Sequence, residues 1–366
     1  MGHIKSVLMS GYYGFDNSGD DAILKAIVKD LKEINKELNI TVLSNNPAKT
    51  ESMYPVKAVN RFKLREVLTA IKETSLLISG GGSLLQDVTS TRSLLYYLAV
   101  MAAAKIYKKP VMVYANGIGP IDKKANRILT KYILNRVDLI TLRDENSRTF
   151  LEEINVTNKN ISVTADPVFT LEPATKDIVD DIFIKEGIPI DKHLIGISVR
   201  DWKKAEQLEN IIAKAIIYIG KKYDANVVLI PMHYPEDLDI SERILKQVDG
   251  DNCYLLKNKY SVEEIMGVIK ELEIIIAMRL HALIYAATQS IPMVGLVYDP
   301  KVQGILDSMG MKYMSDVEKL KYEQLIANIN VVWNNKEHLR KEIDKQNNKL
   351  KDKALENIKL AYEKLR

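Results

Sequence analysis

The chain has 366 residues, of which 46% are hydrophobic and 27% charged, with 52 basic against 48 acidic side chains. That length allows two domains of roughly 150 residues and excludes a peptide-sized module. The composition excludes disorder over most of the chain, and a net charge of +4 gives nucleic-acid binding no support. Cys253 is the single cysteine, which excludes an intramolecular disulfide and a cysteine-held zinc, so a reducing cytosol is the expected compartment.

Residues 1–9 lack the apolar core of a secretion signal, and no apolar run reaches 18 residues. The most apolar stretch, 93–104, is ended by Lys105, Lys108 and Lys109 and reads as a buried helix. Short β-rich runs alternate with segments of helical period along the chain. Strands are predicted at 7–9, 40–43, 76–78, 111–114, 139–142 and 161–164, with helices at 20–38, 65–73, 91–107, 123–137 and 145–154. A polar, proline-marked stretch, 166–176, separates these from strands at 194–199, 227–230, 253–255, 274–277 and 293–297, again with helices between. The pattern is α/β, two Rossmann-like doubly wound domains at 1–170 and 177–330. A helical tail follows at 331–366. From 334 onward ten basic residues face six acidic ones, the whole of the positive excess, so the body is neutral. Leu339, Ile343, Leu350, Ala354, Ile358, Ala361 and Leu365 form the stripe of an amphipathic helix. Such a helix packs on its own protein or lays a basic face on anionic lipid, at about 1 kcal/mol per Lys or Arg.

Open parallel sheets bind ligands beyond the carboxyl ends of their strands, so the chemistry is sought there. The first strand runs into Gly11-Tyr12-Tyr13-Gly14-Phe15-Asp16-Asn17-Ser18-Gly19-Asp20, which is neither a Walker loop nor a dinucleotide fingerprint. Asp20 reads as a helix N-cap, whereas Asp16, in mid-loop, is the candidate for acid/base or hydroxyl-binding work. Ser79-Gly80-Gly81-Gly82-Ser83-Leu84-Leu85-Gln86-Asp87 and Asn116-Gly117-Ile118-Gly119-Pro120 end two further strands. Three glycine-rich loops on one sheet edge favour a ligand surface over three unrelated turns.

In the second half, the strand at 194–199 delivers Arg200, either a surface ion-pair partner or a bidentate grip on carboxylate or phosphate. Met278-Arg279-Leu280-His281-Ala282 places an arginine and a histidine at the start of an otherwise apolar helix, and Lys301 ends the next strand loop. Two arginines, a lysine and a helix N-terminus describe a site for a small anion. His3 and His233 read as exposed or turn histidines, and no spacing supplies metal ligands. Cys253 lies in a predicted strand and no Gly-x-Ser-x-Gly elbow is present, so a hydrolytic nucleophile is not indicated.

The first glycine loop, Gly80-Gly81-Gly82-Ser83-Leu84-Leu85-Gln86-Asp87 and Met278-Arg279-Leu280-His281, in that order, resemble the polysaccharide pyruvyl transferase family, in particular its bacterial cell-surface-anchoring branch. The likeness runs from about Lys5 to Val317. It implies a GT-B-like fold, phosphoenolpyruvate as donor substrate, no cofactor, and a pyruvate ketal as product. On that likeness Arg200, Arg279, Leu280 and His281 bind the donor, joined by Lys301. The first domain becomes the acceptor side, with Asp16, Asn17, Arg61, Gly81 and Gly82 as its candidate residues. The branch implies an N-acetylmannosamine unit of a lipid-linked cell-wall precursor, whose ketal anchors surface-layer proteins. The enzyme would then be cytoplasmic, peripheral at the inner membrane face through the tail helix, and compatible with a homo-oligomer. An imidazole is suited to proton transfer near neutral pH, so His281 is the expected acid, while Asp16 is expected to take a hydroxyl proton or orient the acceptor. A GT-B glycosyltransferase using a nucleotide-sugar, or a non-catalytic polysaccharide-binding protein, would share the architecture.

Overall fold

Near-continuous apolar runs such as Leu76–Gly80 and Ile274–Ala277 are buried on both faces, as strands inside parallel sheets must be. The computed structural model describes residues 5–88 and 90–365, so the reading of His3 lies outside the described residues. The chain divides into two compact units, Met1–Thr170 with Leu350–Arg366, and Leu171–Lys349.

In the first unit the strands are β1 (Ser6–Tyr13), β2 (Asn39–Ser44), β3 (Lys57–Asn60), β4 (Leu76–Gly80), β5 (Val111–Asn116), β6 (Leu139–Leu142) and β7 (Ile161–Val163). They form one parallel sheet in the order β3-β2-β1-β4-β5-β6-β7. Its helices are α1 (Ser18–Ile34), α2 (Pro47–Met53), α3 (Leu64–Glu73), α4 (Thr91–Ile106), α5 (Lys124–Leu134) and α6 (Glu145–Glu153). The apolar stretch read as a buried helix is α4, with Leu94, Tyr97, Leu98, Met101 and Ala104 in the core. The order reverses between β1 and β4, so the loops after these two strands flank the switch point where such sheets take ligands.

The second unit opens with α7 (Lys176–Glu186) and repeats the plan: β8 (His193–Ser198), α8 (Leu208–Tyr223), β9 (Ala225–Leu229), α9 (Glu236–Gln247) and β10 (Cys253–Leu255). It continues with α10 (Val262–Lys270), β11 (Ile274–Ala277), α11 (Leu280–Thr288), β12 (Met293–Val297), α12 (Pro300–Ser308), β13 (Met314–Asp316) and α13 (Tyr322–Asn334). The parallel order β10-β9-β8-β11-β12-β13 reverses between β8 and β11. Arg200, after β8, and Arg279, after β11, therefore flank the switch point of this sheet.

All eleven predicted strands are present, and the two that sequence missed, β3 and β13, are sheet edges. The last helix, α14 (Lys336–Leu365), is one continuous element. Leu339, Ile343, Ala354, Ile358, Ala361 and Leu365 of its stripe are buried. In the first unit its fully buried Asn357 accepts from Thr164 Oγ1 at 2.7 Å and donates to the Ala165 carbonyl at 3.0 Å. The apolar stripe is thus used in packing on the protein itself. No helix among the described residues is long and apolar enough to cross a membrane.

Candidate functional site

The loop leaving β1 enters α1 through Asn17, whose Oδ1 accepts from the Gly19 N–H at 3.0 Å. Asn17, not Asp20, is the cap, because helical backbone already begins at Ser18 and Asp20 falls inside the first turn. Asp16 has a left-handed φ of 60° and meets Lys49 Nζ at 2.5 Å through Oδ1.

Asp20 is the more perturbed carboxyl. Burial pushes its pKa up to about 8, Asp21 adds to the rise, and Arg143 opposes it. At neutral pH it is largely a neutral acid. The glycines after β4 allow this enclosure. A Cβ at Gly81 would stand 1.9 Å from Ile23 Cγ2, and one at Gly82, 3.2 Å from Asp20 Oδ1, so the loop lies directly on the first turns of α1. Close packing, as well as ligand approach, explains those glycines.

Arg143, one residue past β6, was missed in the sequence. Its side chain is 6% exposed, pairs with Asp166 Oδ2 at 3.0 Å and donates from Nη2 to Ser83 Oγ at 2.8 Å. The signal was there, a strand-end arginine in the same setting as Arg200. Arg61, just past β3, is buried among aromatic rings and donates from Nη1 to the Gly11 carbonyl at 3.0 Å.

In the second unit Arg200 is half-buried at the end of β8, with its guanidinium carbon 5.2 Å from the Tyr298 ring and 5.9 Å from Trp202. Nη1 donates to the Tyr298 hydroxyl at 3.4 Å, and Nε is buried without a hydrogen-bond partner. No carboxylate among the described residues lies within ion-pair distance of it, while neighbouring Asp201 pairs with Arg243 at 2.5 Å. Arg200 is therefore not the surface ion pair that sequence left open. Because β8 and β12 lie on either side of β11, the Arg200–Tyr298 contact links the strand ends flanking Arg279.

Arg279 departs from the expectation of two free guanidinium forks. Its Nε donates to Asp237 Oδ2 at 2.8 Å and its Nη2 to Oδ1, so one edge is already occupied. Asp237, fully buried at the start of α9, also accepts the N–H groups of Met232 at 3.1 Å and His233 at 3.0 Å. The pair fixes the Arg279 plane and leaves its Nη1 side for a ligand. Leu280 and His281 are the first two residues of α11, with the His281 ring centroid 6.3 Å from that of Tyr285. Lys301 stands in the first turn of α12, where Asp299 Oδ1 caps its N–H at 2.9 Å. Two helix N-termini and three cationic side chains thus share one sheet edge, an arrangement that favours a compact anion.

His233 sits in the turn after β9 with Nδ1 3.5 Å from Glu236 Oε2. Burial pushes the Cys253 thiol up to about 12, which disfavours its thiolate. Among the described residues no group of three His, Cys, Asp or Glu side chains converges as metal ligands.

Structural comparison finds the UDP-GlcNAc 2-epimerase of Neisseria meningitidis bound to UDP-GlcNAc, at TM-score 0.67 and 14% identity, covering 98% of this chain and 99% of that one. Anabaena Alr3699/HepE in complex with UDP-glucose gives TM-score 0.66 at 11% identity, covering 98% and 99%. These likenesses establish the GT-B-like fold. Among curated proteins, the amylovoran biosynthesis protein AmsJ of Erwinia amylovora is 21% identical, over 92% of this chain and 94% of its own length. The polysaccharide pyruvyl transferase family model matches residues 17–300, taking in the end of the first glycine loop from Asn17, the two later glycine loops, Arg200 and the Arg279-Leu280-His281 run, and the chain belongs to that family.

Proposed function

We propose that the protein transfers pyruvate from phosphoenolpyruvate to a saccharide, forming a cyclic ketal and releasing phosphate. The observation that carries this reading is Arg200, which meets no carboxylate among the described residues and stands at the switch point beside Arg279 and the starts of α11 and α12. A donor with a carboxylate and a phosphate matches Arg200, the Nη1 side of Arg279 and Lys301, with Leu280 against its carbon skeleton.

His281 gives a proton to the methylene carbon of the donor, turning it into a methyl group and leaving positive charge at the central carbon. One sugar hydroxyl bonds to that carbon as its proton passes to a carboxylate base, from which it returns to restore His281. The carbon–oxygen bond to phosphate then breaks, and a second hydroxyl closes the ring as it loses its proton. Asp16, Asn17, Arg61, Gly81 and Gly82 are proposed for the acceptor side, with the Asp16 carboxylate taking the first hydroxyl proton and the second leaving with phosphate. The finer reading takes the acceptor as an N-acetylmannosamine unit of a lipid-linked wall precursor, in the service of surface-layer anchoring. It places the enzyme at the inner membrane face, where only the basic side chains of α14 are left to meet lipid, since its apolar stripe is buried.

Titration with phosphoenolpyruvate and with UDP tests the donor. Saturable phosphoenolpyruvate binding that weakens at least tenfold in Arg200→Met supports the reading. Binding of UDP alone turns it to the second reading, a glycosyltransferase using a nucleotide-sugar, which the GT-B-like fold also accommodates.

A further inference from the structure

Arg61 has no role in the proton transfers above, and its surroundings are unusual for a cation. Only 6% of the residue is exposed, yet no carboxylate among the described residues lies within ion-pair distance. Four aromatic rings enclose the guanidinium instead, with centroids at 4.3 Å for Tyr96, 5.3 Å for Phe15, 5.4 Å for Tyr97 and 5.6 Å for Phe62. Nη1 donates to the Gly11 carbonyl and Nη2 reaches the Tyr97 hydroxyl at 3.5 Å. Ring faces offset part of the cost of burying the charge. They accept no hydrogen bond of normal strength, Arg61 Nε is buried without an acceptor among the described residues, and the Tyr96 hydroxyl meets only Arg61, itself a donor, so its own hydrogen is left without an acceptor.

Two orphaned donors beside an uncompensated cation have one common remedy, an oxygen anion that accepts from both and supplies the missing charge. Two of the four rings are carried by turns. Phe15 lies in the loop after β1, stacked on Tyr12 at 4.1 Å, and Phe62 follows β3 and is 68% exposed. Tyr96 and Tyr97, by contrast, are fixed on α4. All of these groups lie in the first unit; Phe15 belongs to the loop that carries Asp16, and Gly11 to the strand that leads into it.

We infer that Arg61 and Tyr96 form a receptor for an oxyanion, phosphate or carboxylate, borne by the saccharide acceptor. This rests on the reading of the first unit as the acceptor side. The protein is thereby selective for acidic acceptors. The receptor is built from first-unit residues alone, whereas the residues proposed for the donor all belong to the second unit.

The test is calorimetric binding to the full-length protein, without donor, of three probes. These are a neutral aryl disaccharide, the same disaccharide as its 1-phosphate, and one carrying a uronic acid. The wild type should bind one acidic probe about 10- to 100-fold more tightly than the neutral one, and which probe wins identifies phosphate or carboxylate. Arg61→Met should erase the preference, and Tyr96→Phe should reduce it about three- to tenfold with the melting temperature unchanged. Should Arg61→Met fail to fold, Tyr96→Phe carries the test alone, since it removes one hydroxyl and no packing. Equal binding of all three probes by the wild type, or a preference that Tyr96→Phe leaves undiminished, overturns the inference. Because no turnover is needed, an acid preference lost in the variants stands even if phosphoenolpyruvate is not the donor.

Discussion

Asp237→Asn isolates the pair that orients Arg279. The carboxylate is fully buried and the arginine side chain is 13% exposed, so the substitution leaves a largely buried cation without its counter-charge. It also turns one acceptor into an amide donor, while Oδ2 must already serve Arg279 Nε and two backbone N–H groups. Breaking a buried pair from one side costs about 3–5 kcal/mol. At roughly 2–4 °C per kcal/mol for a domain of this size, the second unit should melt about 6–20 °C lower, read by scanning calorimetry. Phosphoenolpyruvate should bind more weakly at temperatures where the variant is folded. Replacing both partners by apolar residues, Asp237→Leu with Arg279→Met, should recover much of the stability and none of the donor affinity. An Asp237→Asn protein that melts with the wild type and binds donor equally well would refute the role given to the pair.

Asp20 makes stability pH-dependent. Its folded value of about 8 lies above the ordinary 3.8, so the native state holds the proton more tightly, and the group's stabilising contribution, complete below about pH 4, is lost as pH rises through 8. Asp20→Asn should therefore gain on the wild type from pH 4 to 8, by on the order of a few kcal/mol, and level off above, in urea titrations across that range. His281→Ala should keep donor affinity within about tenfold while turnover falls about 10²- to 10⁴-fold, whereas equal losses in both would make it a binding residue only. Asn357→Ala should cost the first unit about 1–3 kcal/mol by orphaning the Ala165 carbonyl and removing an acceptor from Thr164, again measured by denaturant.

The sheets were legible because central strands such as Ile274–Ala277 are buried on both sides and read as unbroken apolar runs. The edge strands Lys57–Asn60 and Met314–Asp316 were not, since four or three residues with exposed positions carry no such run. The positions of the glycine loops, Arg200 and the Arg279–His281 segment followed from where strands end. Their partners did not. Arg279 meets Asp237, 42 residues earlier, through the end of another strand–helix unit, and local spacing holds no trace of it. Asp20 looked like a cap because the first helical residue is placed to within a few positions only, and its burial depends on Ile23, Gly82 and Arg143 converging from three segments. Arg61 carried no motif, and its aromatic box forms only when β1, β3 and α4 are brought together.

The central claim is met most directly by incubating the protein with phosphoenolpyruvate and an aryl-linked N-acetylmannosaminyl-N-acetylglucosamine disaccharide, following phosphate release and acceptor mass together. One phosphate released for each pyruvyl unit gained by the acceptor, abolished in His281→Ala, is the predicted result. Phosphoenolpyruvate neither bound nor consumed, while a parallel incubation with a nucleotide-sugar adds a sugar to the same acceptor, would contradict it.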